Sequence, residues 1–228
     1  MNKRLIFLMG LNSIIFFIAG VTFAALHYFE KEIPNLEQLQ NIRQGEISKV
    51  FSSDSVLLKE FYEQKRELTY FPNIPKRLIQ ALIAIEDQRF YHHWGFDIIR
   101  FTKAVLVNLS RMEKAQGGST ITQQLARGLF LSQEKKISRK IKEIITAVKI
   151  EKMYSKDEII TFYLNDIYYG PGIYGIKAAA EYYFNKELNE LNIEDCAFLA
   201  GIIQAPGLYL PNKHPKRSAW RRNLVLKN

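Results

Sequence analysis

The chain has 228 residues, of which 47% are hydrophobic, and its 32 Lys and Arg against 23 Asp and Glu give a formal charge of +9. This length accommodates one domain plus an anchor, and the charge favours an anionic partner: nucleic acid, anionic lipid headgroups or a phosphorylated substrate. The lone cysteine, Cys196, excludes an internal disulfide.

The N-terminus predicts one membrane-spanning helix. Lys3 and Arg4 precede an apolar run from residue 5 to about residue 26, and about 20 such residues cross the hydrocarbon core of a bilayer. A cleavable signal peptide has a shorter apolar core, although Ala24-Ala25 keeps cleavage open as the alternative. The basic residues before the run favour a cytoplasmic tip. We therefore expect the rest of the chain to lie outside the cytoplasmic membrane, which makes nucleic acid a poor candidate partner.

The chain after the anchor divides into a short polar region and a helical domain. Residues 30–45 are polar and typical of a juxtamembrane linker, and the alternating stretches around Val50 and Phe61, separated by Ser52-Ser-Asp-Ser55, predict a β-hairpin. The expected organisation is a cytoplasmic tip and anchor over residues 1–29, a linker and hairpin over 30–70, and the main domain over 71–228.

Helical periodicity dominates from Pro75 onward. Ser155 with Glu158, and Thr120 with Gln123, match capping boxes, and Pro206 is expected to stop the last clear helix. The predicted helices cover about residues 75–90, 98–110, 120–131, 134–153, 155–165, 175–184 and 193–204. The fold is therefore predicted to be mainly α, with a small β element near the membrane.

The first candidate for chemistry is Glu86-Asp87, which precedes Phe90 and His93. A carboxylate near the end of a helix, beside an aromatic side chain, can act as a general base. The alternative for the acidic pair is a solvated helix end, and for His93 a hydrogen-bonded structural histidine.

The second candidate is the segment Gly117-Gly-Ser-Thr-Ile-Thr-Gln-Gln-Leu-Ala-Arg127. Paired glycines followed by hydroxyl groups at a helix N-terminus can receive an anion. The alternative is an ordinary capped helix after a flexible loop. The segment is not a Walker A loop, because no Gly-Lys-Ser/Thr follows at the required spacing.

The third candidate is the basic stretch that ends at Glu143. On a helix, Lys136 stacks on Lys140, and both Arg139 and Lys140 can pair with Glu143. The alternative is a solvated face with helical ion pairs. The functional interpretation needs an anionic ligand beside a carboxylate, with Glu86 and Glu143 performing different roles in one cleft.

Together these segments resemble glycosyltransferase family 51, the peptidoglycan glycosyltransferases, whose domain occurs alone or at the N-terminus of class A penicillin-binding proteins. Five stretches look like the family's motifs in order, across about residues 70–228: Glu86–Asp97, Gly118–Arg127, Arg139–Glu143, Lys156–Asn165 with the glycines and aromatics that follow, and Glu194–Pro206.

The resemblance implies a lysozyme-like helical fold with a membrane-facing small lobe, and lipid II as the substrate. Glu86 would deprotonate the acceptor's 4-hydroxyl, which attacks the donor's anomeric carbon with inversion, and undecaprenyl diphosphate would leave. Glu143 would be the second catalytic carboxylate, at the leaving-group side. The substrate-binding residues implied are Asp87, Phe90, His93, Ser119, Thr120, Gln123, Gln124, Arg127, Lys135, Arg139 and Lys140.

The resemblance also implies the surroundings of the reaction. No cofactor is obligatory, although a divalent metal, Mg²⁺ or Mn²⁺, could assist at the diphosphate. The expected partners are lipid II, the growing glycan strand, membrane lipids and other cell-wall synthesis or division proteins. The expected location is the bacterial inner membrane, with a single pass and the catalytic domain on the periplasmic or extracellular side.

Two departures from the family pattern leave alternatives open. The second motif, which usually ends in Lys-Asn, ends here in Arg127-Gly128, and the chain stops at Asn228 inside what resembles a further helix. Arginine keeps the cation with a different geometry, whereas glycine removes a side-chain donor and weakens the helix by about 1 kcal/mol relative to alanine. These departures favour one alternative, a degenerate non-catalytic homologue that acts as a scaffold or binds anionic lipid. The other alternative is a membrane-tethered muramidase-like hydrolase, which would share the two carboxylates and the helical fold.

Overall fold

The computed structural model describes residues 48–52, 57–61, 68–111, 117–130 and 136–228, with isolated positions between residues 9 and 33. Most of the predicted anchor and most of the linker lie outside the described residues. Among the anchor positions that are described, Phe16 and Phe17 are helical and have exposed side chains. Within the described part of the chain, no helix is both long enough and apolar enough to cross a bilayer.

The predicted hairpin is confirmed. Strand β1 (Ser48–Phe51) pairs antiparallel with β2 (Leu57–Phe61), so that Ser48 lies opposite Phe61, and the register shifts after Val50. The domain boundary expected at residues 70 and 71 stays a prediction.

The rest of the described chain is mainly helical, as the apolar periodicity predicts. The helices are α1 (Lys76–Glu86), α2 (Ile98–Arg111), α3 (Ile121–Phe130), α4 (Lys136–Met153), α5 (Lys156–Asp166), α6 (Ile176–Phe184), α7 (Ile193–Ile202), α8 (Pro206–Tyr209) and α9 (Pro215–Lys227). Short 3₁₀ turns cover Phe71–Asn73, Phe90–His92 and Leu188–Glu190.

Helix α7 is the centre of the core. Its sequence is apolar on nearly every side, as expected for a buried helix, and it packs between α1 and α9. Helix α3 likewise contacts two helices, α4 and α5. Cys196, on α7, is buried, and burial raises the pKa of its thiol to about 11, which makes it an unreactive core residue.

The structure departs from the predicted elements at three places. Helix α1 ends at Glu86 rather than near Phe90, because the Asp87 backbone turns to an extended conformation and its carboxylate bonds to other segments. A second hairpin, β3 (Tyr168–Gly170) with β4 (Ile173–Tyr174), was not predicted. Pro206 begins helix α8 instead of stopping a helix, in the first-turn position that proline favours.

The two predicted capping boxes differ in outcome. Ser155 and Glu158 form both bonds of the box at the start of α5. At the start of α3, the Gln123 backbone N–H donates to Thr120 Oγ1 at 3.2 Å, but the Gln123 amide group donates to the Gly95 carbonyl instead of reaching back. Only half of that box forms, because the amide is used to attach the Gly95 loop.

Candidate active site

Glu86 lies at the C-terminal end of α1 and is 8% exposed. Gln124 Nε2 on α3 donates to its Oε2 at 2.9 Å, and Arg221 Nη2 on α9 approaches its Oε1 at 3.5 Å. Three helices therefore meet at this carboxylate. An amide donor and a guanidinium group thus hold the carboxylate in a fixed position, as a general base needs.

Asp87, the next residue, is fully buried and faces a different set of partners. Its Oδ2 accepts from His93 Nε2 at 2.9 Å and from the Ile121 backbone N–H at 3.0 Å, while Arg100 Nη1 lies 3.5 Å from Oδ1. His93 Nδ1 in turn accepts from the Gly95 N–H at 3.1 Å, so Nε2 carries the ring proton. Asp87 and His93 thus connect the end of α1 to the start of α3.

The loop at Gly95 packs against α3 and α4. The Gly95 carbonyl accepts from Thr120 Oγ1 at 2.8 Å and from Gln123 Nε2 at 3.2 Å. The backbone has φ +95°, and a Cβ atom here would lie 2.8 Å from the Ala147 backbone, so only glycine fits. Thr120 and Gln123, both predicted to bind substrate, are completely buried and hold this loop.

Lys140, on α4, forms the second polar centre. Its ammonium group donates to Ser119 Oγ at 2.7 Å, to Gln123 Oε1 at 2.8 Å and to Glu143 Oε2 at 3.0 Å. Arg139 Nε lies 3.4 Å from the other oxygen of Glu143. Burial lowers the pKa of Lys140, and the Glu143 carboxylate partly opposes that shift.

A cleft of about 630 Å³ opens beside Glu86. Its lining carries more cations than acids: the basic residues are Arg89, Arg100, Lys103, Arg127 and Arg221, and the acidic ones are Glu86 and Asp97. Ser119 and Gln124 also line it, whereas Glu143, which is 2% exposed, does not. Glu143 reaches the cleft only through Lys140, which bonds to Ser119.

The structure thus places the predicted site residues in two layers. Glu86, Ser119, Gln124 and Arg127 line the cleft. Other predicted residues are buried and do not line it: the apolar Phe90, and the polar residues Asp87, His93, Thr120, Gln123 and Glu143, whose side chains bond to other side chains and to the backbone. Arg139 pairs with Glu143, and Lys135 lies outside the described residues.

Four side chains join this network without having been predicted. Arg100 Nη1 donates to the Glu86 carbonyl, Arg221 approaches the Glu86 carboxylate, and the Tyr163 hydroxyl donates to Gln124 Oε1 at 2.9 Å. Lys156 donates to the His93 carbonyl at 2.7 Å, pairs with Glu151 and lies 4.4 Å from the Phe90 ring centre. Lys156 and Tyr163 lie in the motif stretch Lys156–Asn165, which was the available sequence signal for them, whereas the burial of Arg221 on α9 is seen in the structure.

Gly128, the departure noted in the second motif, has a local structural explanation. A Cβ atom at this exposed position would lie 2.8 Å from Asp166 Oδ2, at the end of α5. The missing side chain thus leaves room for the Asp166 carboxylate, and Arg127 beside it still presents a cation to the cleft.

The described residues do not by themselves form a metal site. Among the residues that the structure describes, no three His, Cys, Asp or Glu side chains converge as a metal site would require. A divalent ion at a diphosphate would need most of its ligands from the phosphates and water, and it stays a prediction.

Comparison with known proteins identifies the family. The family model described as "Transglycosylase" matches residues 54–228. Penicillin-binding protein 1A of Vibrio cholerae is 44% identical over 94% of this chain and 26% of its own length. Penicillin-binding protein 1A of Aquifex aeolicus is 40% identical over 100% of this chain and 31% of its own, and that of Escherichia coli is 39% identical over 91% and 24%.

The chain therefore spans about a quarter to a third of the length of these curated relatives. The crystal structure of penicillin-binding protein 1A from Haemophilus influenzae is 26% identical, with a TM-score of 0.43 over 82% of this chain and 18% of that one. The matched range includes every residue that lines the cleft, and it also includes Lys140 and Glu143. The chain belongs to the transglycosylase family.

Proposed function

We propose that this chain is a peptidoglycan glycosyltransferase that polymerises lipid II into glycan strands, with inversion at the anomeric carbon and release of undecaprenyl diphosphate. The observation that carries the proposal is the placement of Glu86. Its carboxylate lies in a cation-rich cleft and is held by Gln124 and Arg221. Family membership and the penicillin-binding names of the relatives support the same activity.

The first step needs a base at the acceptor sugar. Glu86 would accept the proton of the acceptor's 4-hydroxyl as that oxygen forms a bond to the donor's anomeric carbon. Because Gln124 donates to Oε2, the carboxylate is oriented before substrate arrives. Inversion follows from direct displacement, in which the new bond forms on the face opposite to the departing diphosphate.

The second requirement is to stabilise the leaving group. As the bond from the anomeric carbon to the diphosphate breaks, negative charge grows on the phosphate oxygens, and fixed cations lower the energy of that state. Arg127 in the cleft and Lys140 beside Ser119 would supply them. Glu143 would hold the Lys140 ammonium in position through their 3.0 Å contact.

The substrate's lipid chain requires a membrane surface next to the cleft. Several large apolar side chains of α2 are exposed, including Ile98, Ile99, Leu106 and Leu109, and Ile99 also lines the cleft. These exposed side chains, with Phe16 and Phe17 in the predicted anchor, support the proposed location. In it, the chain crosses the bacterial inner membrane once and its lysozyme-like domain lies outside the cytoplasm. Other cell-wall synthesis proteins would be its partners there.

The competing function is a muramidase-like hydrolase, which also uses two carboxylates. A hydrolase has no diphosphate to hold, so the five cations of the cleft lining favour the transferase. Incubation of the chain with fluorescent lipid II, and separately with purified glycan strands, distinguishes the two. Polymer from lipid II supports the proposal, whereas shortened strands indicate a hydrolase and the absence of both products indicates a non-catalytic homologue.

A further inference from the structure

Tyr163 forms the outer end of a chain of hydrogen bonds that leads to the proposed base. It lies on α5, is 1% exposed and donates to Gln124 Oε1 at 2.9 Å. Gln124 in turn donates from Nε2 to Glu86 Oε2, also at 2.9 Å. Three helices therefore contribute one link each: α5, α3 and α1.

The direction of this chain is fixed at both ends. An ionised carboxylate can only accept, so Glu86 requires the NH₂ group of Gln124 and turns the amide oxygen toward Tyr163. A tyrosine hydroxyl can donate to that oxygen. Burial and the nearby Glu86 charge raise the pKa of Tyr163 well above its ordinary value, so the hydroxyl keeps its proton.

We propose that Tyr163 is a positioning residue for the glycosyl transfer: its hydroxyl fixes the orientation of the Gln124 amide, which then orients the Glu86 carboxylate toward the acceptor sugar. This inference rests on the proposed function, since it acts through Glu86 as the base. Tyr163 does not line the cleft, so it would influence the rate without contacting substrate.

The consequence of losing the hydroxyl follows from the amide's geometry. In Tyr163→Phe, Gln124 Oε1 loses its donor while staying partly buried, and the amide can rotate. A rotated amide would place its oxygen, an acceptor, against the Glu86 carboxylate. Glu86 would then lose the hydrogen bond from Gln124 that orients it.

The chain offers a matched control in Tyr169. This tyrosine is also fully buried, but its hydroxyl has no hydrogen-bond partner among the described residues. Tyr169→Phe therefore removes a buried hydroxyl group from the same region without breaking a bond in the chain to Glu86.

The experiment measures polymerisation of fluorescent lipid II by the full chain in detergent micelles, with the melting temperature of each variant. Tyr163→Phe should lower kcat about tenfold, as expected for one lost buried hydrogen bond, and should change KM by less than about twofold. Gln124→Met should also lower kcat, and adding Tyr163→Phe to it should cause no further loss. Tyr169→Phe should retain the parent rate.

The outcomes separate this inference from the proposed function. If the parent chain forms no polymer, or if Glu86→Gln polymerises at the parent rate, the proposed function or its base is wrong and the inference is overturned with it. If Glu86→Gln is inactive but Tyr163→Phe matches the parent, only the inference is overturned. The same holds if the double variant is slower than Gln124→Met. If Tyr163→Phe does not fold, the test rests on Gln124→Met. In either variant, a loss of activity that appears in KM rather than in kcat would refute the positioning role.

Discussion

Glu86 and Glu143 are both almost completely buried, yet they occupy different chemical settings. Glu86 lines the cleft, with an amide donor at 2.9 Å and a guanidinium group at 3.5 Å. Glu143 does not line the cleft and is paired closely with Lys140 at 3.0 Å and Arg139 at 3.4 Å. The difference supports the two proposed roles, in which Glu86 takes a proton from substrate and Glu143 holds its cation.

The largest expected effect is at Glu86. Glu86→Gln keeps the size of the side chain but removes the base, and polymerisation of lipid II should fall on the order of a thousandfold. Circular dichroism should show that the variant is folded, and Glu181→Gln, an exposed acid on α6, serves as the control. If Glu143→Gln proved more damaging than Glu86→Gln, the roles of the two carboxylates would have to be exchanged.

The next effect is at Lys140. Lys140→Met removes a cation from the proposed leaving-group side, so kcat should fall about a hundredfold. It also deprives the buried Glu143 charge of its 3.0 Å contact with Lys140, which lowers the melting temperature. The double variant Lys140→Met with Glu143→Gln should recover stability but not activity. Recovery of both would mean that Lys140 only neutralises Glu143.

A smaller effect concerns the alkaline limb of the pH–rate profile. Because burial lowers the pKa of Lys140, its charge is lost at a lower pH than in an exposed lysine, and the rate should decline as pH rises through that value. In Lys140→Arg the guanidinium group stays protonated, so the decline should move to higher pH even though the maximal rate is lower. Profiles of kcat/KM for both proteins test this, and identical alkaline limbs would argue against Lys140 as the titrating cation.

The smallest effect is expected at Gly128, one turn beyond Gln124 on α3. Gly128→Ala gains about 1 kcal/mol of helix propensity, but the new methyl group would lie 2.8 Å from Asp166 Oδ2, which must move. The free energy of unfolding should change by less than about 0.5 kcal/mol, with unchanged polymerisation. In an Asp166→Ala background the same substitution should be clearly stabilising in a urea titration, and a strong destabilisation there would refute the explanation.

The sequence predicted the elements whose determinants are local. Ser155 and Glu158 lie three residues apart, so the start of α5 could be predicted from capping alone, and helical periodicity after Pro75 predicted α1. The pairing of Lys140 with Glu143 also followed from helical spacing, and the structure confirms this contact.

What the sequence could not indicate depends on contacts between distant segments. Arg221 meets Glu86 across 135 positions, and Tyr163 meets Gln124 across 39 positions. No local pattern marks such a tyrosine as different from Tyr169, which is equally buried. The early end of α1 was missed for the same reason, because it depends on two distant donors to the Asp87 carboxylate, His93 and the backbone N–H of Ile121.

Helix α3 connects the two centres through adjacent residues: Gln124 bonds to Glu86, and Gln123 bonds to Lys140. Neighbouring residues on a helix point about 100° apart, so the angle between the two groups is set by the helical geometry rather than by any loop. A single residue inserted between them would rotate one centre away from the other by that angle. The helix is thus a rigid spacer that sets the relative direction of the two centres.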